Sequence, residues 1–188
     1  MTQAAAHARE RNTPTVALAR QWHLAFFDKC SLPVPYYAGE IRDSDPRYPE
    51  LIDYEVRVGT HDAVPARDVV DELDVFEEHM QIAVGAIDSQ LPAGVTPHIP
   101  GMLGSVLTLA ASAHGEWVRI HPFANGNGRI GRVWGNWVLI RYGLPAVLRL
   151  KPRPAGDPYA QAALHSMSGD HQPMIGVLNT MIQRRIGK

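Results

Sequence analysis

Apolar side chains return every three or four residues in six stretches of this chain, separated by connections rich in Pro and Gly. That is the spacing of helices with one buried face. In the first stretch Val16, Leu18, Trp22, Phe26 and Phe27 follow Thr15 as a cap, and the helix ends before Ser31. Leu32-Pro33-Val34-Pro35 forbids helix, and Tyr37 to Pro49, with Gly39, two prolines and several charges, reads as a long surface loop. One stretch alternates instead. Tyr54-Glu55-Val56-Arg57-Val58, followed by Gly59, predicts a strand entering a short hairpin. Helical spacing resumes from about Pro65 to Leu91 through Val69, Leu73, Phe76, Met80, Ala83, Val84 and Ile87. After a Pro92–Pro100 connection, Leu103 to Ile120 is apolar around much of its circumference, as expected of a central helix. Arg129 to Tyr142 follows, closed by Gly143 and Pro145. A short helix with Asp157 as cap and Pro158 in its first turn stops near Gly169, and the last runs from about Pro173 to Ile186. Residues 1–14 lack apolar periodicity and are expected to fray. The predicted fold class is all-α with one small β-hairpin, a single domain over residues 15–188.

Composition excludes several functions. At 45% hydrophobic and 20% charged residues the chain can bury a core and is far from a disordered composition. A net charge of −1 argues against a general binder of nucleic acid or anionic membranes, so any phosphate recognition must be local. No apolar run is long enough to span a bilayer, and Met1 to Arg20 lacks the layout of a secretory leader, so a cytoplasmic protein is expected. Cys30, the one cysteine, excludes an internal disulfide and multi-cysteine metal sites. The nine histidines contain no His-Glu-x-x-His.

Chemistry is concentrated between two of the helices, in His121-Pro122-Phe123-Ala124-Asn125-Gly126-Asn127-Gly128-Arg129-Ile130-Gly131-Arg132. Glycines let backbone approach a ligand, and the N–H groups that open a helix point at an anion with the dipole behind them. Arg129 and Arg132, three apart on the first turns, can share a face and offer forked donors to phosphate oxygens. Two arginines at a helix start conflict with the dipole, a conflict that a bound polyphosphate resolves. His121 has a side chain suited to taking a proton from an incoming hydroxyl. Each feature alone has an ordinary structural explanation, since Asn-Gly pairs make turns and single histidines pack; here they occur together in fixed order.

This run resembles the signature of Fic-domain proteins, His-Pro-Phe-x-Asp/Glu-Gly-Asn-Gly-Arg-x-x-Arg, and matches every specified position but one. Weaker likeness extends to Ala38–Arg42, to the Val56–Gly59 hairpin, and to Tyr159–Leu164 and Gly169-Asp170 downstream. The resemblance implies a mainly helical Fic fold and transfer of AMP from ATP to a Ser, Thr or Tyr hydroxyl of a target protein. By it, His121 is the general base, Phe123 anchors the loop, and Gly126, Asn127 and Gly128 form an anion hole. Arg129 and Arg132 hold the phosphates. A flap of about Tyr54 to His61, with Val56, Arg57, Val58, Gly59 and Thr60 at its centre, holds the target as an added strand.

Asn125 is the departure. The family carries Asp or Glu there, whose carboxylate binds the Mg2+ (or Mn2+) that bridges nucleotide phosphates. Three arrangements are open: Asn125 ligates a metal weakly, its NH2 donates directly to a phosphate, or transfer is lost. The last leaves a silent nucleotide- or partner-binding module; a Fic-type transferase using another nucleotide or phosphate-containing donor is the other alternative. The chain has no good copy of the family's Ser/Thr-x-x-x-Glu-Gly/Asn inhibitory motif, Ser112 to Glu116 being followed by Trp117. Restraint by a separate antitoxin protein is therefore the expectation.

Overall fold

The computed structural model describes residues 1–97 and 100–187, and among them the chain forms seven α-helices and one two-stranded antiparallel hairpin. The helices are α1 (Thr2–Arg9), α2 (Val16–Phe27), α3 (Val69–Asp88), α4 (Pro100–Ile120), α5 (Asn127–Arg141), α6 (Asp157–Ser166) and α7 (Gln172–Ile186). The hairpin strands are β1 (Arg57–Val58) and β2 (His61–Asp62), paired Arg57 to Asp62 and Val58 to His61. His98 and Ile99, in the predicted Pro92–Pro100 connection, lie outside the described residues. No helix among those described is long and apolar enough to cross a membrane.

The centre of the molecule is the α4–α5 pair, which packs more extensively than any other. Every residue of α5 from Ile130 to Leu139 is buried, and Trp117, Ile120 and Ala113 of α4 are fully enclosed. Aromatic edges bind this core together. Trp134 meets Trp22 at 4.8 Å, Phe76 at 5.5 Å and Trp137 at 5.7 Å, with most of these pairs near perpendicular. The α2 cap is as read from sequence, the Leu18 N–H donating to Thr15 Oγ1 at 3.3 Å. Asp157 is the first residue of α6, with Gly156 preceding it, and no side chain caps that end.

Two expectations differ from the structure. Within residues 1–14, where no ordered element was expected, Thr2–Arg9 is a helix with Ala4 and Ala8 buried four apart against α5. Alanine carries little hydrophobic signal, and here its small size is what permits close approach. The segment is tied further by Arg11, which donates to the Leu91 carbonyl at 2.8 Å, and by Asp88, which pairs with Arg141 at 2.6 Å and Arg11 at 3.2 Å. The predicted five-residue strand is only two residues long: among the described residues the sheet has two strands, and it is Val56 and Val58 that pack on Ala63, Val118 and Met167.

Candidate active site

Residues 121–126 join α4 to α5 in a turn set by three fixed points. His121 adopts φ +55°, a left-handed conformation uncommon for any residue but glycine, and so stops α4 immediately after Ile120. Gly126, at φ +80°, opens α5; a Cβ there would lie 3.0 Å from the Phe27 ring and 3.1 Å from His23 Nε2. Asn127 is buried and closes the turn on itself. Its Oδ1 accepts from the Phe123 N–H at 3.0 Å and its Nδ2 donates to the Phe123 carbonyl at 2.7 Å. Phe123 is thereby seated in the core beside Trp117, fully buried as the resemblance implied for a loop anchor.

Two residues not singled out as site residues from the sequence hold this turn from outside. His23 of α2 stacks on Phe123 at 3.9 Å; its Nδ1 accepts from the Gly39 N–H and its Nε2 donates to the Asn125 carbonyl, both at 2.9 Å. Burial lowers its pKa to about 4, so the ring is neutral and its tautomer fixed. Its place on the apolar stripe of α2, between Trp22 and Phe27, is the signal that could have found it. Arg42 is completely buried and donates to the carbonyls of His121 (2.8 Å), Ile120 (2.9 Å), Tyr54 (3.0 Å) and Val64 (2.5 Å). Its own N–H bonds the Pro122 carbonyl at 2.9 Å. One guanidinium therefore joins the loop to both roots of the hairpin, and nothing in the polar run around it announces that.

His121 Nδ1 lies 2.9 Å from the Val118 carbonyl, which only a protonated nitrogen can satisfy. Nε2 is thus the bare acceptor of a neutral ring. Burial lowers the His121 pKa, opposed by the Val118 bond and reinforced by Arg42. Past it, the amides of Ala124, Asn125, Asn127 and Gly128 donate to no group among the described residues. Open N–H groups at a helix start, with no acid in its first turn, are the donors that anions meet in proteins.

The arginines are held differently. Arg129 lies over the Phe27 ring at 4.9 Å and makes no ion pair among the described residues. Arg132 is 7% exposed; Nη2 donates to the Leu150 carbonyl at 3.0 Å, Nη1 lies 3.4 Å from the Tyr159 hydroxyl, and Nε has no partner. Tyr159 in turn meets the buried His114 at 2.9 Å, and Asn136 bonds both backbone groups of Leu148, so both serve internal packing. Asn125 is exposed, its Oδ1 accepting from the Gly126 N–H at 2.6 Å. Asn127 can offer a ligand only its backbone. Glu116, in the near-match to the inhibitory motif, is engaged by Arg119 at 2.7 Å and His171 at 2.6 Å.

The hairpin sits over the end of α4. Val56 and Val58 pack on Ala63, Val118 and Met167, while Arg57 pairs with Asp62 at 2.8 Å on the exposed side and Gly59-Thr60 form the tip. Val118 is also the residue that fixes the His121 ring. A cavity of about 620 Å³ between α3 and α4 includes none of the loop residues.

A helical domain carrying a turn of open amides, with a histidine at its entry and a hairpin above it, is the class that fold and site define. The chain belongs to the Fic/DOC family, whose model matches residues 14–139. Over 81 residues it is 37% identical to a protein adenylyltransferase Fic of Nematostella vectensis, covering 43% of this chain and 18% of that protein. Over 82 residues it is 35% identical to protein adenylyltransferase fic-1 of Caenorhabditis elegans, covering 42% and 16%. The chain thus spans under a fifth of the length of these relatives. Its fold matches a Fic-domain signaling protein of Bacteroides thetaiotaomicron with TM-score 0.67 and 18% identity, over 96% of this chain and 64% of that one. It also matches BepC of Bartonella tribocorum, solved with bound AMPPNP, with TM-score 0.63 and 18% identity, over 96% and 81%.

Proposed function

We propose that the protein transfers AMP from ATP to a Ser, Thr or Tyr hydroxyl of a target protein. The observation that carries this reading is the neutral His121 ring, with Nδ1 held by Val118 and Nε2 free, at the entry to a run of unpaired amides. The names of the relatives and the nucleotide analogue in the BepC structure support it. In this reaction the hydroxyl oxygen attacks the α-phosphorus of ATP while its proton passes to His121 Nε2. The bond to the β-phosphate oxygen breaks, and pyrophosphate leaves. Amides at the start of α5 meet the negative charge that gathers on the α-phosphate oxygens, and Arg129 and Arg132 steady the leaving phosphates. The target lies as an extra strand along the hairpin, where main-chain hydrogen bonds set its hydroxyl against His121.

The residues present do not fit a divalent cation held by the protein at position 125. Asn125 offers only a neutral amide oxygen that already accepts from the Gly126 N–H, and among the described residues no three His, Cys, Asp or Glu side chains gather to ligand one.

Transfer of label to lysate proteins from α-labelled but not γ-labelled ATP, abolished in His121→Ala, is the expected result. Transfer from the γ-label, or α-label transfer unchanged in His121→Ala, overturns the reading. Control by a separate antitoxin is part of the proposal; expression alone should then arrest host growth, and His121→Ala should relieve it.

A further inference from the structure

We infer that this loop grips phosphate oxygens through N–H donors alone, with the Asn125 carboxamide as one of them, so that the nucleotide enters as the metal-free polyanion. The inference rests on the nucleotide reading above and goes on to the form of the ligand.

The orientation of Asn125 decides what position 125 offers. The Gly126 N–H at 2.6 Å can be met only by an acceptor, so the carboxamide oxygen faces inward to the turn and the NH2 is left unengaged. A carboxylate in the same place would present acceptors and a negative charge, which phosphate oxygens reject unless a cation intervenes. The carboxamide presents two donors and no charge. Everything around it has the same polarity. The amides of Ala124, Asn125, Asn127 and Gly128 have no partner among the described residues. Arg129 makes no ion pair among them, and the first turn of α5 holds no acid.

The buried Arg132 Nε adds an independent sign that an acceptor is missing. Arg132 is 7% exposed, yet this N–H has no partner, although its other two nitrogens do. Four buried indole N–H groups are left so as well, but this donor belongs to a cation lying against the turn. Its Nη1 lies 3.5 Å from where a Cβ on Gly128 would stand, placing the guanidinium against the same turn. Such a site favours a ligand of high negative charge. Chelation by Mg2+ removes two charges from ATP and engages oxygens that these donors would otherwise take, so the cation opposes binding instead of assisting it.

The experiment is calorimetric titration of the purified protein with ATP and, separately, with inorganic tripolyphosphate, each in EDTA and in excess Mg2+. Wild type and Asn125→Asp are compared, with circular dichroism confirming that both fold; Asn125 is exposed, and its replacement removes no core contact. Wild type should bind both probes in EDTA and bind ATP no better with Mg2+. Asn125→Asp exchanges a donor for a like charge, so its affinity in EDTA should fall about tenfold or more, with Mg2+ restoring it. ATP binding by wild type only when Mg2+ is present overturns the inference while leaving the nucleotide reading intact. Tripolyphosphate binding in EDTA without ATP binding in either condition does the reverse. Absence of both probes in EDTA, or equal affinities of wild type and Asn125→Asp there, also overturns it.

Discussion

Three histidines are held neutral here for two different ends. As the proposed base, His121 must be neutral to accept a proton, and because burial lowers its pKa it is so throughout the neutral range. Transfer measured against pH should therefore be flat near neutrality and fall only below the ordinary imidazole range, near 6.5. His23 is neutral for architecture. Its native pKa of about 4 lies below the unfolded value of 6.5, so the unfolded chain binds the extra proton between them and stability rises with pH across that window. The contribution is whole above about pH 6.5 and is lost as pH falls toward 4, on the order of 3 kcal/mol. His114, at about 3, acts in the same direction. The thermal midpoint should fall between pH 7.5 and 5, and by less in His23→Gln; equal slopes would remove His23 from the acid response. At this scale the sequence exposed the residues proposed to meet a ligand, because His121, Arg129 and Arg132 stand in a short run. It concealed those that hold the run, because Arg42 and His23 act on it from 79 and 102 residues away.

The hairpin and the turn that opens at His121 are separate in sequence yet joined twice, through Arg42 and through Val118. Val58 gives the hairpin its hold on α4, so Val58→Asp should loosen it while leaving the turn in place. The KM for a protein target should rise about tenfold, corresponding to roughly 1.4 kcal/mol of lost positioning, with nucleotide affinity unchanged. A parallel loss of nucleotide binding would show that the hairpin supports the turn instead of the target. Helices were legible because their burial repeats over many residues: α3, α4, α5 and α7 each lie within a few residues of their expected bounds. The strands were overextended because alternation at Val56 and Val58 looks alike whether or not a neighbouring strand continues it.

Across the whole molecule, the N-terminal segment was the least legible part. Two buried alanines are invisible to a hydrophobic count, and their partners on α5 stand more than 120 positions away. Ala8→Leu should overpack that seam and cost about 2 kcal/mol, or roughly 4–8 °C in Tm, whereas a frayed tail would leave Tm unchanged. The seam shares its helix with two of the chain's four tryptophans. Trp22, Trp117, Trp134 and Trp137 are the full complement, all buried in one cluster with no hydrogen-bond partner on any indole nitrogen. Their rings lie 4.8 to 6.0 Å apart along Trp22–Trp134–Trp117 and Trp134–Trp137, and Trp117 touches the loop anchor Phe123. Excitation of any one indole passes among its neighbours before it is emitted. The native protein should therefore emit as a single blue-shifted, depolarised source, and movement of the turn on loading should register in that emission without an attached dye.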